Sequence, residues 1–383
     1  MRNLMTIVVP CFNEEEVLPL FMDAIAPIRA ALAQGHTWLP GPSASSDTEN
    51  STLFPEPSTR GNSTPSPDPS RKADSDGLPP CDTEIIFIDD GSRDGTLSLL
   101  RQYSSADPNV KYISFSRNFG KEAGIYAGLK ESKGDYVVLL DADLQHPVEF
   151  ILNMYEILAS GAEGRTVTLA QSPEEGSNVK ELELPAGTAY DSVAMYRADR
   201  RGEGRIRSFF SNCFYHMINR ISKIDLIDGA TDYRMMTRKM VDAVVGMEEY
   251  NRFTKGIFNW VGFNTCWLPY HNVERKAGTS KWSMRSLLRY SLEGMFAFST
   301  TPLTISFGLG LVFCILALIF AVYVVIKTLI WGDPVAGYPS LFCMILFFGG
   351  VQLLFLGIFG QYLSKMYLEV KKRPKYIVKE EKI

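Results

Sequence analysis

Over the first 160 residues, short apolar runs of strand length alternate with longer stretches that carry apolar residues at helical spacing. Strands are predicted at 6–9, 84–88, 110–115 and 136–140, and helices at 14–33, 94–103, 120–131 and 147–159. The last helix opens on Pro147, a residue that the first helical position tolerates. Such alternation predicts an α/β fold with a mainly parallel, doubly wound sheet, in which ligands bind outside the carboxyl ends of the strands. The polar clusters stand there: 10–14 after the first strand, 89–92 after the second, 116–121 after the third, and Asp141 with Asp143 after the fourth.

Two segments interrupt this rhythm. Residues 34–82 are dense in Pro, Ser, Thr, Gly and Asp and are expected to be disordered, and 161–190 reads as a second, milder insertion. Both follow a helix and precede a strand, which places them on the face away from the strand-end crevice.

The pattern changes again near the carboxyl end. No charged residue occurs in 303–326 or in 334–364, and each run exceeds the roughly 20 residues that span a bilayer core. Arg275, Lys276, Lys281, Arg285 and Arg289 precede the first run, and Lys371, Lys372, Arg373 and Lys375 follow the second. The positive-inside rule therefore predicts a multi-pass protein of the cell (inner) membrane with its large amino-terminal domain in the cytoplasm. The expected organisation is a catalytic domain at 1–275, a basic loop and interfacial helix at 276–300, two transmembrane helices at 301–365, and a cytoplasmic tail at 366–383. Gly349, Gly350, Gly357 and Gly360 leave room for close helix approach, so a homo-oligomer is compatible with the second span.

A net charge of −4 describes no nucleic-acid binder. The six cysteines show no Cys-x-x-Cys spacing and the four histidines are scattered, which argues for reduced thiols and against a zinc site. The chain before Pro10 is too short for a signal-peptide core.

Along an extended chain Asp141, Asp143 and Gln145 point the same way, so three oxygen ligands converge without long-range folding. Hard oxygens suit Mg2+ or Mn2+ with open positions for a diphosphate. Two basic clusters, Arg197 to Arg207 and Arg275 to Lys281, suit phosphate oxygens or anionic headgroups.

The segments Val-Val-Pro-Cys-Phe-Asn-Glu-Glu (8–15), Ile-Asp-Asp-Gly-Ser-Arg-Asp-Gly-Thr (88–96), Ser-Arg-Asn-Phe-Gly-Lys-Glu-Ala-Gly (116–124) and Leu-Asp-Ala-Asp-Leu-Gln-His-Pro (140–147) together resemble glycosyltransferase family 2. With Asp-Tyr-Arg at 232–234 and two terminal spans, the chain is most similar to the polyprenyl-phosphate group of that family, which includes bactoprenol glucosyltransferases and dolichol-phosphate mannose synthases. The resemblance implies a GT-A fold, a nucleotide-sugar donor with UDP-glucose favoured, a Mg2+ or Mn2+ ion, a polyprenyl phosphate acceptor and inversion at the anomeric carbon. It also implies roles. Pro10, Phe12, Glu14 and Ala142 border the nucleoside, and Asp90 reads the base with Asp89 beside it. Asp141, Asp143 and Gln145 hold metal and diphosphate, Arg275 and Lys281 clasp the leaving diphosphate, and Arg197 and Arg207 meet the acceptor phosphate. Lys121 meets phosphate or sits in the first turn of a helix. Asp232 is the base or acceptor-orienting residue, or else pairs structurally with Arg234 or Arg252. A processive polysaccharide synthase would carry Gln-x-x-Arg-Trp, which this chain lacks, and a non-catalytic nucleotide sensor would not need the metal carboxylates.

Overall fold

The computed structural model describes residues 2–36, 78–159, 161, 166–169, 181–185, 187–197, 229–270, 301–331 and 337–383. Among them, β1 (Asn3–Cys11), β2 (Cys81–Asp89), β3 (Val110–Phe115) and β4 (Tyr136–Leu139) alternate with α1 (Leu18–Gln34), α2 (Thr96–Ala106), α3 (Lys121–Glu131) and α4 (Phe150–Ala159). These four strands are parallel in the order β3-β2-β1-β4, with β1 in register against β2 from Asn3↔Cys81 to Cys11↔Asp89. Successive residues of β1 serve opposite layers, as the two-residue period of a strand requires. Ile7 and Val9 pack with Phe21 and Ile25 of α1, whereas Val8 packs with Ile125 and Leu129 of α3. Gly128 lets α3 lie close on the sheet, since a Cβ there would stand 2.2 Å from a methyl of Val8.

Beyond β4 the sheet departs from the parallel expectation. β8 (Ala230–Thr237) joins β4 antiparallel, β7 (Ser192–Arg197) joins β8 antiparallel, and β9 (Thr265–Tyr270) joins β7 parallel. With β10 (Val378–Lys382) at the other edge, the result is an eight-stranded mixed sheet, β10-β3-β2-β1-β4-β8-β7-β9, with helices α5 (Arg238–Gly246) and α6 (Thr254–Trp260) following β8.

Several boundaries also move. α1 begins at Leu18 because residues 14–17 form a turn in which Val17 and Leu18 N–H donate to Glu14 O. α4 begins at Phe150 after a turn closed from Phe150 N–H to Pro147 O, so Pro147 lies before the helix rather than at its first position. Of the 34–82 insertion, residues 37–77 lie outside the described residues. Its edges belong to the fold: Gly35 caps α1 at φ 73°, Leu78 is buried in the core, and Cys81 opens β2. The two edges touch, since a Cβ on Gly35 would stand 2.4 Å from Leu78 O. The second insertion is partly structural, because β5 (Thr166–Thr168) and β6 (Glu181–Glu183) pair antiparallel and Val167, Leu169 and Leu184 bury in the main core.

Two long helices follow, α7 (Thr301–Trp331) and α8 (Tyr338–Lys371), and both are long and apolar enough to cross a membrane. Phe313 of α7 meets the rings of Phe347 and Phe348 of α8 at 5.8 and 6.0 Å, while most of the described apolar side chains point outward. The 276–300 loop and interfacial helix of the sequence reading lie outside the described residues.

Within the expected tail at 366–383, residues 366–371 continue the second long helix and 378–382 join the sheet. α8 runs on to Lys371, Glu369 accepts the N–H groups of Tyr250 and Asn251 at 2.9 and 3.1 Å, and β10 (Val378–Lys382) pairs antiparallel with β3. Its charged sequence hid it, because an edge strand is solvated on its free side and carries charges there as protection against further pairing. Arg101 grips Glu380 through two N–H groups at 2.8 and 2.5 Å, and Tyr112 OH donates to it at 2.8 Å.

Those hydrogen bonds hold the Glu380 carboxyl down at about 2, with burial opposing them weakly. A carboxyl depressed in the folded state stabilises above its unfolded pKa and loses that contribution as pH falls through the folded value. Glu380→Ala should therefore lower the Tm at pH 7 by an amount that shrinks as pH falls from about 4 towards 2, measured by thermal shift in detergent against the parent chain. A Tm deficit that stays constant with pH would remove the ionic account of β10 docking. Replacing 37–77 with a short Gly/Ser linker should leave stability and turnover per folded enzyme nearly unchanged, since its ends already meet and closure entropy changes by only about 0.6 kcal/mol per halving of length. Normal yield with severely reduced turnover would place that segment in the site or against a partner.

Candidate active site

The carboxyl ends of β2, β1 and β4 and the loop after β3 form one row, and hydrogen bonds between their loops make it rigid. Asn13, in the left-handed region at φ 57° that Asn tolerates, donates its N–H to Ser92 Oγ and accepts from Arg93 N–H, both at 2.9 Å. Glu14 N–H donates to Thr96 Oγ1 at 2.9 Å. Gly91, at φ 68°, sits where a Cβ would strike the Arg117 backbone at 2.5 Å, so the loops after β2 and β3 approach closely.

Asp89 and Asp90 are the fasteners of this row. Asp89 accepts Ser92 N–H at 2.9 Å and Ser114 OH at 2.7 Å, and Asp90 accepts the N–H groups of Phe119 and Gly120 at 2.6 and 2.9 Å. Both are buried, and burial raises the Asp90 carboxyl against the lowering by its two N–H donors. Beside them opens a cavity of about 290 Å3, lined by Phe12, Leu97 and Phe115 with Asp89, Arg117 and Lys379 among its polar groups. Pro10 and Glu14 flank the same strand end and are partly exposed. Ala142 is 2% exposed and its side chain packs in the core.

A second cluster lies two strands along. Lys121, the first residue of α3, places Nζ 2.8 Å from Asp141 after β4 and 2.7 Å from Asp232 on β8. Asp232 thus pairs with neither Arg234 nor Arg252. Arg234 is buried over the Phe258 ring at 3.8 Å, and Arg252 donates to the carbonyls of Met247 and Val244. Burial raises Asp232, but Lys121, Lys255 and Arg234 outweigh it and hold the carboxyl below its ordinary value. Burial likewise opposes the Lys121 ammonium, which Asp141 and Asp232 keep charged. The Lys121 side chain is 43% exposed, so water screens these pairs and leaves the lysine free to exchange partners.

The metal motif keeps its alternation but not its extended backbone. Asp141, Asp143 and Gln145 are partly exposed while Ala142, Leu144 and His146 are buried, yet β4 ends at Leu139 and Leu144 stands at φ 53°. The segment is a turn in which Gln145 N–H donates to Asp143 Oδ1 at 3.2 Å. Among the described residues, no group of three His, Cys, Asp or Glu is placed to hold a metal ion. The donor chemistry nonetheless fits a hard divalent cation, because the loop offers partly exposed carboxylate and amide oxygens and already attracts one cation, the Lys121 ammonium.

His146, which sequence reading left among scattered histidines, packs under this cluster between the rings of Tyr233 and Tyr270 at 5.4 and 5.2 Å. Burial, with Lys121 and Arg197 nearby, lowers it to about 4, so it is neutral at pH 7 and supports the turn by packing. Its place directly after Gln145 was the only signal for it in the chain. Arg197 ends β7 and donates to Tyr270 OH at 3.3 Å, on the cluster side of the sheet. Arg207, Arg275 and Lys281 lie outside the described residues.

Residues 72–245 match the model of glycosyl transferase family 2. The chain is 41% identical over 302 residues to CsbB of Bacillus subtilis (strain 168), provisionally assigned as a glycosyltransferase, across 79% of this chain and 83% of that one. It is 38% identical over 305 residues to the bactoprenol glucosyl transferase of Shigella phage SfV, across 80% and 90% of the two chains. A distant likeness, at 15% identity and TM-score 0.38, covers 76% of this chain and 75% of the glucosyl-3-phosphoglycerate synthase of Mycobacterium tuberculosis. With named relatives matched over most of their length and the family's motifs gathered along one row of strand ends, the chain belongs to glycosyl transferase family 2.

Proposed function

We propose that this protein transfers a sugar, glucose first among candidates, from a nucleoside-diphosphate donor to a polyprenyl phosphate at the cytoplasmic face of the cell membrane. The observation that supports the reading is one row of strand ends that carries both an apolar-walled cavity and a charged cluster. A ring-sized cavity lies at the β2 and β3 ends, a carboxylate–lysine cluster lies at β4 and β8, and the same sheet holds the return strand of a long apolar helical hairpin. The bactoprenol glucosyl transferases among its relatives support the acceptor and sugar class.

In this reading the donor lies across the strand ends, with its base near Phe12 and its diphosphate over the β1 and β4 loops. Asp141 and Asp143, with Gln145, would hold a Mg2+ or Mn2+ ion, whose positive charge would favour departure of the diphosphate. The chain's own residues do the rest. Lys121 exchanges its carboxylate partners for diphosphate oxygens, and Arg275 and Lys281 add positive charge to the leaving group. An acceptor phosphate, with a second pKa of about 6, arrives largely dianionic at pH 7. Asp232, already ionised, therefore orients the acceptor site through Lys121 and Lys255 rather than taking a proton, while Arg197 and Arg207 hold the acceptor phosphate. A phosphate oxygen bonds to the anomeric carbon as the bond to the donor diphosphate breaks on the opposite face, and one displacement inverts the configuration. The basic flank before α7, Arg275 to Arg289, and the apolar hairpin hold the crevice at the bilayer surface, with α8 glycines offering a face for self-association.

Purified protein incubated with a panel of nucleotide sugars and undecaprenyl phosphate should give a lipid-linked monophosphate sugar by mass spectrometry. Absence of any lipid product across the panel would sink the acceptor assignment. In the same assay Asp143→Ala should lose at least about 100-fold in turnover while keeping the parent Tm, because a partly exposed ligand oxygen is removed and not core volume. Thorough chelation should match that loss, and turnover that survives both would reassign the carboxylates to sugar contacts. For the topology, a cysteine at Gly337 should be labelled from outside the cell and one after Ile383 only from the cytoplasm. The reverse pattern would overturn both orientation and leaflet.

A further inference from the structure

The cavity at the β2 and β3 ends takes one wall from the far end of the chain. Lys379 of β10 lines it together with Phe12, Leu97, Phe115 and Arg117. The pairing of β10 explains how a lysine in an exposed edge strand reaches it. Val378 stands opposite Phe115 and Glu380 opposite Ser114, so two steps along β10 oppose one along β3 and Lys379 is the extra residue of a β-bulge. A bulge bends its strand and re-aims the side chain it carries, and bulges gather at sheet edges beside active sites.

The strand is fastened on both sides of that bulge. Before it, Tyr376 stacks on Phe115 with ring centroids 4.8 Å apart, and Ser116 N–H donates to Ile377 O at 2.9 Å. After it, Arg101 and Tyr112 hold Glu380, and Lys382 Nζ donates to Ser104 O at 2.5 Å. None of these hydrogen bonds or ring contacts is made by Lys379, which lines the cavity and whose charge also favours the neighbouring Glu380 carboxylate. The chemistry there is one-sided. Asp89 already accepts from Ser92 and Ser114, so the charged groups of the lining are mainly cationic, Lys379 and Arg93 with Arg117, which also donates to Asn118 O, above apolar walls. Such a lining suits a flat heteroaromatic ring whose edge carries carbonyl oxygens.

We infer that Lys379 is a specificity-determining residue for the nucleobase end of the donor, donating to a base carbonyl, and that the donor site is complete only once the chain has returned from its helical hairpin to close the sheet. This rests on the donor reading above and adds the residue, and the segment, that reads the base.

The test uses the full-length protein in detergent, titrated by calorimetry with UDP (GDP where the wild type prefers it) and separately with inorganic diphosphate. Lys379→Ala should weaken nucleotide binding about tenfold, the scale of one lost charge-assisted hydrogen bond, with diphosphate affinity kept within about twofold. Its Tm should match the parent, and Lys379→Arg should recover most of the affinity. Glu380→Ala, which loosens the strand, should lower both the Tm and the nucleotide affinity. Parental nucleotide affinity in Lys379→Ala overturns the inference and leaves the donor reading standing. Equal losses for nucleotide and diphosphate overturn the base-end assignment. Failure of the wild type to bind either nucleotide would instead sink the donor reading itself.

Discussion

Because β1 is paired in parallel with β2 on one side and β4 on the other, and packed by apolar side chains on both faces, it can carry no chemistry along its length. Its fully buried polar side chain, Thr6, is occupied by hydrogen bonds to Glu84 and from Gly134 N–H, since an unpartnered one would cost about 1–3 kcal/mol. All the chemistry is therefore pushed past the carboxyl ends of the strands, where the backbone turns and loops meet. The loops are held in place by buried carboxylates that accept backbone N–H groups, Asp89 and Asp90 above all, so the rigidity of the row comes from the same acidic residues that mark it in the chain.

Electrostatics then divides the crevice. Asp141 and Asp232 arrive from neighbouring strands and would repel if left alone, and Lys121 is the cation between them. Its exposure keeps the arrangement exchangeable rather than locked. A lysine held only by screened pairs can follow an incoming phosphate, whereas Arg234, buried over an aromatic ring, cannot.

The return of the chain through β10 joins the apolar hairpin to the sheet. The carboxyl end of α8 and the strand after it are fastened to the domain, with Glu369 against residues 250 and 251 and Glu380 against α2.

Strand and helix periodicity in the first 160 residues determined the parallel half of the sheet and the row of strand ends, and two charge-free runs nearer the carboxyl end determined the long apolar helices, because these depend on the patterns of neighbouring residues. The motif residues of that row were legible for the same reason. Tertiary structure alone decided the antiparallel half, the partner of Asp232, the support from His146 and the strand at 378–382. Each of these is a contact between distant segments. Lys121 and Asp232 are 111 positions apart, and Arg101 and Glu380 are 279 apart. A charged edge strand solvated on one side has the composition of a tail, so nothing local distinguishes Val-Lys-Glu-Glu-Lys in solution from the same residues paired on β3.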